Sequence, residues 1–534
     1  MGVSQQGTST SVELQVMPGE AIKSMEMGGG GNERLDGDAT MKDYADMRRL
    51  GKAQEFRRNF RFLSITSFTL VAMSGWVFVP ISSATAIIDG GTGGFIVMFI
   101  INWIGFFLIV LSLAEMSSIA PTAGGQYHWT SEFAPASWQR FISYMAGWLS
   151  SLSWLCGVTS GMFTGGTLIQ GVVVLTHPNY SPQPYQGWLL VVCIAAMAVL
   201  FNTYLAKHLP KLEGIVLVVF VVAFAAVLIV LWVLSPKLSA SDVFSTFTND
   251  GGWSSLGLSM VAGQSVSVYL LIGSDSSAHM AEETQGASIV IPRTMCTAYI
   301  LNGAMGLVMV ITFCFCLTDL ATASESATGY MFMQVFTDAT GSIKGGTALT
   351  CILIVLLLCS AVNYMASTSR QVFAFARDKG LPFHQWISKV TNSSSPLNAV
   401  FVTFLFVILL SLISLGSSIA FNAIISLQLL AVVSTYMVSV GCIIWRRYYG
   451  KPLPASVWTL GRYGGAINIA AFAYCTYLII FIPFPVTTPV TAASFNWAPV
   501  MFVGVMAIAL AYYFVTARKT YEGPVTLVVD DFDM

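Results

Sequence analysis

Between Leu270 and Arg293 the sequence LLIGSDSSAHMAEETQGASIVIPR places Asp275, His279, Glu282 and Glu283 directly behind an apolar run long enough to be entering a bilayer. An ionised side chain at the centre of a membrane helix costs at least ~2.5 kcal/mol on insertion scales, so a carboxylate there marks a substrate or ion site. Gly273 and the hydroxyls of Ser274, Ser276 and Ser277 are weak helix formers, which predicts an interrupted helix around the acid. Asp275 has two compatible readings: a site for an ammonium, and an N-cap that accepts the N–H of Ser277 or Ala278. His279 and Glu283 lie one and two helical turns further on, on the same face, so Asp275, His279 and Glu283 form a candidate proton-coupling stripe. The plainer reading of Glu282 and Glu283 is a snorkelling face near the headgroups.

Other chemistries are not supported. His279-Met280-Ala281-Glu282 lacks the H-E-x-x-H spacing of zinc proteases, the chain has 5 His, and it has no G-x-x-x-x-G-K-[ST] phosphate loop. No metal, cofactor, nucleic acid or enzymatic activity is expected, and transport must be ion-coupled or facilitated.

A matching interruption is expected about halfway along the first apolar span, at Ala72-Met73-Ser74-Gly75-Trp76. A Ser-Gly pair alone is an ordinary close-packing contact in membrane helices. Paired with Gly273 five spans later, it fits the inverted repeats of transporters, whose substrates sit between two discontinuous helices. Unwinding at both places frees N–H groups for a carboxylate and carbonyls for an ammonium. The candidate substrate-binding residues are therefore Met73, Ser74, Gly75, Trp76, Gly273, Ser274, Asp275 and Ser276.

The elements that must position these residues follow from composition. Of 534 residues, 55% are hydrophobic and 10% charged, against about 25% charged in soluble domains. Twelve apolar spans lie between residues 62 and 517, including span one at 62–88, span five at 213–235, span six at 257–285 and span eight at 346–376. The reading is an all-α polytopic membrane protein: a tail over 1–60 without a cleavable signal and expected to be disordered, a twelve-helix domain over 61–517, and a carboxyl tail over 518–534. With both tails cytosolic, Lys237 and Lys344 alone of the 25 Lys and Arg fall outside, as the positive-inside rule requires. That topology makes Asn179, in Asn179-Tyr180-Ser181, a glycosylation candidate and hides Asn392. The nine Cys lie in or beside apolar spans and read as small hydrophobes.

Four stretches carry a family resemblance: Gly124-Gly125-Gln126-Tyr127-His128-Trp129-Thr130, Asp275 through Glu283, Pro292-Arg293, and Ser369-Arg370-Gln371 with Phe375 through Pro382. Over about residues 55–520 the chain resembles the fungal amino acid/choline transporter family, the GABA permease and choline permease branch of the amino acid-polyamine-organocation superfamily. The resemblance implies a LeuT-like fold of a five-plus-five inverted repeat with two extra helices. It also implies alternating access around the broken helices and proton-driven uptake at the fungal plasma membrane. The first break departs from the arrangement usual in GABA permeases. Trp76 beside it would suit an ammonium through cation–π attraction of about 0.5–2 kcal/mol, or would pack against a neighbour.

The resulting expectation is a secondary active transporter, with a proton as coupling ion and lipid as surroundings, for a small amino compound such as an amino acid, GABA or choline. The alternatives are a transporter of a specialised metabolite or its amino precursor, and a non-transporting nutrient sensor of the same fold. Arg370 and Glu115 are the candidate gate residues, Arg370 closing on Glu115, Glu282 or Glu283, because unpaired charges near a membrane are expensive. The plainer reading of Arg370 is another positive-inside anchor.

Overall fold

The structure, a computed structural model, describes residues 32–390, 395–416, 418–492 and 494–524. The first 31 residues with Lys23, the end of the carboxyl tail and the Asn392 sequon lie outside the described residues.

Helices are the regular elements among the described residues, with one isolated backbone bridge between Phe60 and Thr284. In lipid no water satisfies main-chain groups, so apolar segments must pair their own N–H and C=O groups within helices. The helices that matter here are α1 (Asn32–Arg49), α2 (Phe62–Met73), α3 (Gly75–Ile119), α4 (Gln126–Phe133), α5 (Gln139–Thr176), α6 (Pro184–Thr203), α7 (Leu209–Leu234), α8 (Leu256–Gly263), α9 (Ser265–Tyr269), α10 (Ser276–His279), α11 (Ala287–Cys316), α12 (Met331–Thr340), α13 (Ile343–Arg377), α14 (Leu397–Ser411), α15 (Ser418–Tyr449), α16 (Gly464–Phe481) and α17 (Ala498–Tyr512).

Ten helical stretches among the described residues are long and apolar enough to cross a membrane. One of them runs 58 residues from Phe62 to Ile119, and it is interrupted twice. Ser74, at φ 41°, separates α2 from α3. Gly91, at φ 67° and ψ −174°, turns the chain within α3. A Cβ on Gly91 would stand 2.5 Å from the Thr246 carbonyl oxygen, so the turn needs glycine for conformation and for space. The segment from Leu256 to Glu283 consists of pieces too short to count among the ten, with Gly273 at φ 101° in the gap between α9 and α10.

The buried centre is built by α3 against α11, and by α5 against α13 and α15. The outer helices turn apolar side chains outward, as with Ile215, Val218, Val222 and Ile229 of α7, the surface a lipid environment accepts. Close approach follows from small residues: a Cβ on Gly306 of α11 would lie 2.8 Å from the Phe99 ring of α3.

Residues 41–60, expected as part of a disordered tail, instead form a strap packed on one face of the bundle. Asp43 accepts the N–H groups of Gly286 at 2.8 Å and Ala287 at 3.2 Å, capping α11, and pairs with Arg58 at 3.4 Å. Burial pushes the Asp43 carboxyl above its ordinary range although Arg58 and those two N–H groups oppose the shift. Arg58 also donates to the Thr284 carbonyl at 2.6 Å, and Lys52 pairs with Asp378 beyond α13. The strap escaped sequence reading because its polar residues satisfy polar backbone groups and leave no periodic apolar signal.

Candidate substrate site

The two breaks lie against each other. At the first, the Gly75 N–H donates to Asn302 Oδ1 of α11 at 2.7 Å, and Asn302 Nδ2 donates to the Leu270 carbonyl of the second break at 3.0 Å. One amide thus joins both interruptions. A Cβ on Gly75 would lie 2.6 Å from Asn302 Nδ2 and 2.8 Å from the Leu270 oxygen, so glycine is what lets the three strands of backbone and side chain meet. The expectation of free N–H groups at both breaks is met only in part at the first, where Asn302 takes the Gly75 N–H and the Trp76 N–H has no partner among the described residues. At the second break, the N–H groups of Ile272, Gly273 and Ser274 have no partner among the described residues. Gly273 faces Met73 and Tyr364: its Cβ would meet Tyr364 Oη at 3.3 Å and Met73 Cγ at 3.6 Å.

Asp275 is fully buried in this junction. Its Oδ2 accepts from Gln126 Nε2 at 2.5 Å, and His279 Nε2 stands 4.0 Å away. The expected N-cap is not formed, because the Asp275 carbonyl rather than its carboxylate receives the Ala278 N–H, at 2.9 Å. Gln126 opens α4, directly after Gly125 at φ 53°, where a Cβ would stand 3.0 Å from His279 Cε1. The Gly124-Gly125-Gln126 stretch therefore delivers an amide donor to the acid through a corner that has no room for a side chain. His279 Nδ1 is 2.8 Å from the Ala123 carbonyl, which fixes a proton on Nδ1, and its ring meets Trp154 edge-on at 4.9 Å.

Five polar atoms in this cluster are buried without a partner: Asp275 Oδ1, Ser274 Oγ, Ser276 Oγ, Gln126 Oε1 and His279 Nε2. Native interiors leave few such groups, so this concentration marks a place where another polar species belongs. Two small cavities flank it, each about 10 Å³, one lined by Met73, Phe78, Tyr269, Ser360 and Tyr364, the other by Trp154, Gly273, Asp275, Tyr364 and Gln428. Each is about the space of one water, so this conformation is closed around the site. Tyr364 stands in both walls. Sequence reading missed Gln126 as the partner of Asp275, and missed Asn302, Trp154, Tyr364 and Gln428 altogether.

Four further expectations are corrected by geometry. Trp76 is wholly buried and packs edge-on against Phe220 and Phe224 of α7, at 5.5 and 5.3 Å, so its ring serves the α3–α7 contact and is not in either cavity wall. The stripe of Asp275, His279 and Glu283 does not persist, because α10 ends at His279 and residues 281–283 form a tighter turn. Glu283 instead meets Arg370 Nε at 2.8 Å, and Glu282 takes both Nη atoms of Arg377, at 2.9 and 2.7 Å. Both glutamates are buried, not snorkelling. Glu115 does not meet Arg370: it pairs with Arg447 of α15 and accepts from Thr459 and Leu460 at 3.1 and 3.0 Å. Asn179 is exposed on the connection between α5 and α6.

Comparisons with known proteins give the chain its family. The amino acid permease profile matches residues 60–507. The chain belongs to the amino acid permease family. It is 27% identical to an uncharacterised amino-acid permease of Schizosaccharomyces pombe, over 89% of this chain and 88% of that one. It is 28% identical to an amino-acid permease of Arabidopsis thaliana, over 90% and 96%. With a choline transporter of Saccharomyces cerevisiae it shares 26%, over 87% and 83%. This permease is accordingly an integral, multi-pass membrane transporter of amino compounds and not an enzyme.

Proposed function

We propose that this permease is a secondary active transporter that brings a small amino compound, an amino acid, GABA or a choline-like amine, across the plasma membrane with a proton. In this reading it is a LeuT-like bundle of twelve crossings, with a five-plus-five repeat and both termini in the cytosol. The observation that carries the reading is the cluster of unpartnered polar atoms on Asp275, Ser274 and Ser276 between the two breaks. A buried carboxylate oxygen with no cation of its own attracts an ammonium strongly at low dielectric. The hydroxyls of Ser274 and Ser276 complete a primary ammonium's hydrogen bonds. Trp154 and Tyr364, with ring centres 5.4 Å apart, offer faces for cation–π contact with a quaternary one. The N–H groups of Ile272, Gly273 and Ser274 suit a carboxylate at the other end of an amino acid. Asn302, by tying the two breaks together, makes the substrate's seat depend on both halves, as alternating access requires.

The deciding experiment is labelled uptake of GABA, choline, ethanolamine, basic amino acids and polyamines in cells, with the proton gradient intact and then collapsed. One of these amines is expected to accumulate only with the gradient. Asp275→Asn is expected to abolish that uptake while surface expression is retained, since the amide keeps the shape and loses the charge. Wild-type rates in the variant would reject Asp275 as the amine's partner.

A further inference from the structure

A symporter must hold its proton and its substrate together. Asp275 bound to an ammonium has to stay ionised, because a protonated carboxyl forfeits the charge that recognises the amine. His279, 4.0 Å from Asp275, would repel the ammonium if it were charged. Glu283 is already compensated by Arg370 at 2.8 Å. The coupling proton therefore needs another buried group, one without a cation and in contact with an element that moves.

Glu213 has these properties. It lies in the second turn of α7 and is 3% exposed. It has no ion pair among the described residues. Across the interface it meets Ser67 of α2, the half of span one that precedes the Ser74 break, and Asn363 of α13. Asn363 Nδ2 in turn donates to the Phe68 carbonyl of α2 at 3.1 Å. The titratable group facing Glu213 from α13 is the Cys359 thiol, and Lys211 on its own helix is exposed. Three elements thus meet at one uncompensated carboxyl, and one of them ends at a break.

Hydrogen counting locates the proton. Ser67 has a single hydroxyl hydrogen, and its shortest acceptor is the Glu213 main-chain oxygen at 2.6 Å. The 3.2 Å contact between Ser67 Oγ and Glu213 Oε2 is then a hydrogen bond when Glu213 itself is the donor. An ionised Glu213 would keep the Asn363 amide but have no cation in an apolar interface, and its Oε2 would face the Ser67 hydroxyl oxygen, a penalty relieved by parting α2 from α7. We propose that Glu213 is the proton-binding site that couples transport: protonated, it holds α2 against α7 and α13, and proton release frees α2 to move. The coupling role rests on the transport reading above; the protonation state of Glu213 does not.

The test is Glu213→Gln, whose amide keeps the shape and can donate to Ser67 without titrating. Infrared titration of the purified protein should show a protonated-carboxyl stretch that the wild type loses as pH rises and that is missing from the variant. Identical spectra in the two proteins would overturn the proposal whatever the substrate. In proteoliposomes, uptake of labelled choline or GABA by the wild type should increase with an acid exterior, and the variant's uptake should lose that response; a retained response overturns the coupling role. If wild-type vesicles take up neither probe nor any of the amines named above, the transport reading fails. The infrared difference still decides whether Glu213 carries the proton.

Discussion

Asn302 shows how much one side chain does at the junction of the breaks, and how little of that a sequence reveals. Its amide satisfies the Gly75 N–H and the Leu270 carbonyl at once. Asn302→Leu would leave both unpaired in a buried site, at a cost of about 1–3 kcal/mol each. A lowered thermal midpoint in detergent is the expected outcome, with Asn302→Asp falling between the two because it still accepts from Gly75. An unshifted midpoint for the leucine variant would mean that the two breaks do not depend on this bridge. Asp275, Ser74, Gly75 and Gly273 were legible because charge, serine and glycine are conspicuous in an apolar run. Asn302 and Gln126 were not, since their partners lie 227 and 149 residues away in sequence. A single amide in a membrane helix or turn looks the same whether it packs or bridges.

Among elements, the buried pair of Arg370 on α13 and Glu283 beyond α10 joins the second broken span to its neighbour. Arg370 is 1% exposed and also donates to Asn202 of α6 at 3.2 Å. Removing one partner of such a pair strands the other charge and typically costs about 3–5 kcal/mol, whereas replacing both with apolar groups of like size is often neutral or stabilising. Arg370→Ala is therefore expected to lower surface expression as well as transport. The double substitution Arg370→Met with Glu283→Leu should recover expression, measured by surface biotinylation, yet leave uptake impaired if the pair must open during the cycle. Full uptake in the double variant would reduce the pair to a structural clamp. Sequence reading named both residues and offered three partners for Arg370. Helical spacing could not select among them, because the tight turn at residues 281–283 re-aims Glu283 away from the Asp275 face. Hydropathy likewise marked an all-helical polytopic chain, in which ten helical stretches are long and apolar enough to cross a membrane, but not the strap over 41–60, whose order comes from Arg58, Asp43 and Lys52 meeting distant polar groups.

At the scale of the whole molecule, the connections sort onto two faces. The strap reaches Ala281, Thr284 and Asp378, and Lys379 reaches Glu522 at 3.2 Å, so residues before α2, between α10 and α11, after α13 and after α17 share one face. On the other face Asp250 N–H donates to the Ile88 carbonyl at 3.1 Å and Thr488 N–H to Gly251 at 2.7 Å, joining the turn within α3 to the segments before α8 and after α16. In the proposed twelve-crossing topology the 58-residue helical stretch would count as two crossings and the fragmented segment from Leu256 to Glu283 as one. The sorting agrees with the distribution of Lys and Arg, which concentrates positive charge on the strap's face. Cysteine substitutions at four exposed positions test this directly. In intact cells a membrane-impermeant maleimide should label Lys237→Cys and Glu325→Cys, and should reach Lys211→Cys and Lys451→Cys only after permeabilisation. Labelling of Lys211→Cys in intact cells would put the α2 end of span one, and with it Glu213, on the outer side. The direction in which proton release moves α2 would then be reversed, even though every contact around Asp275 stayed the same.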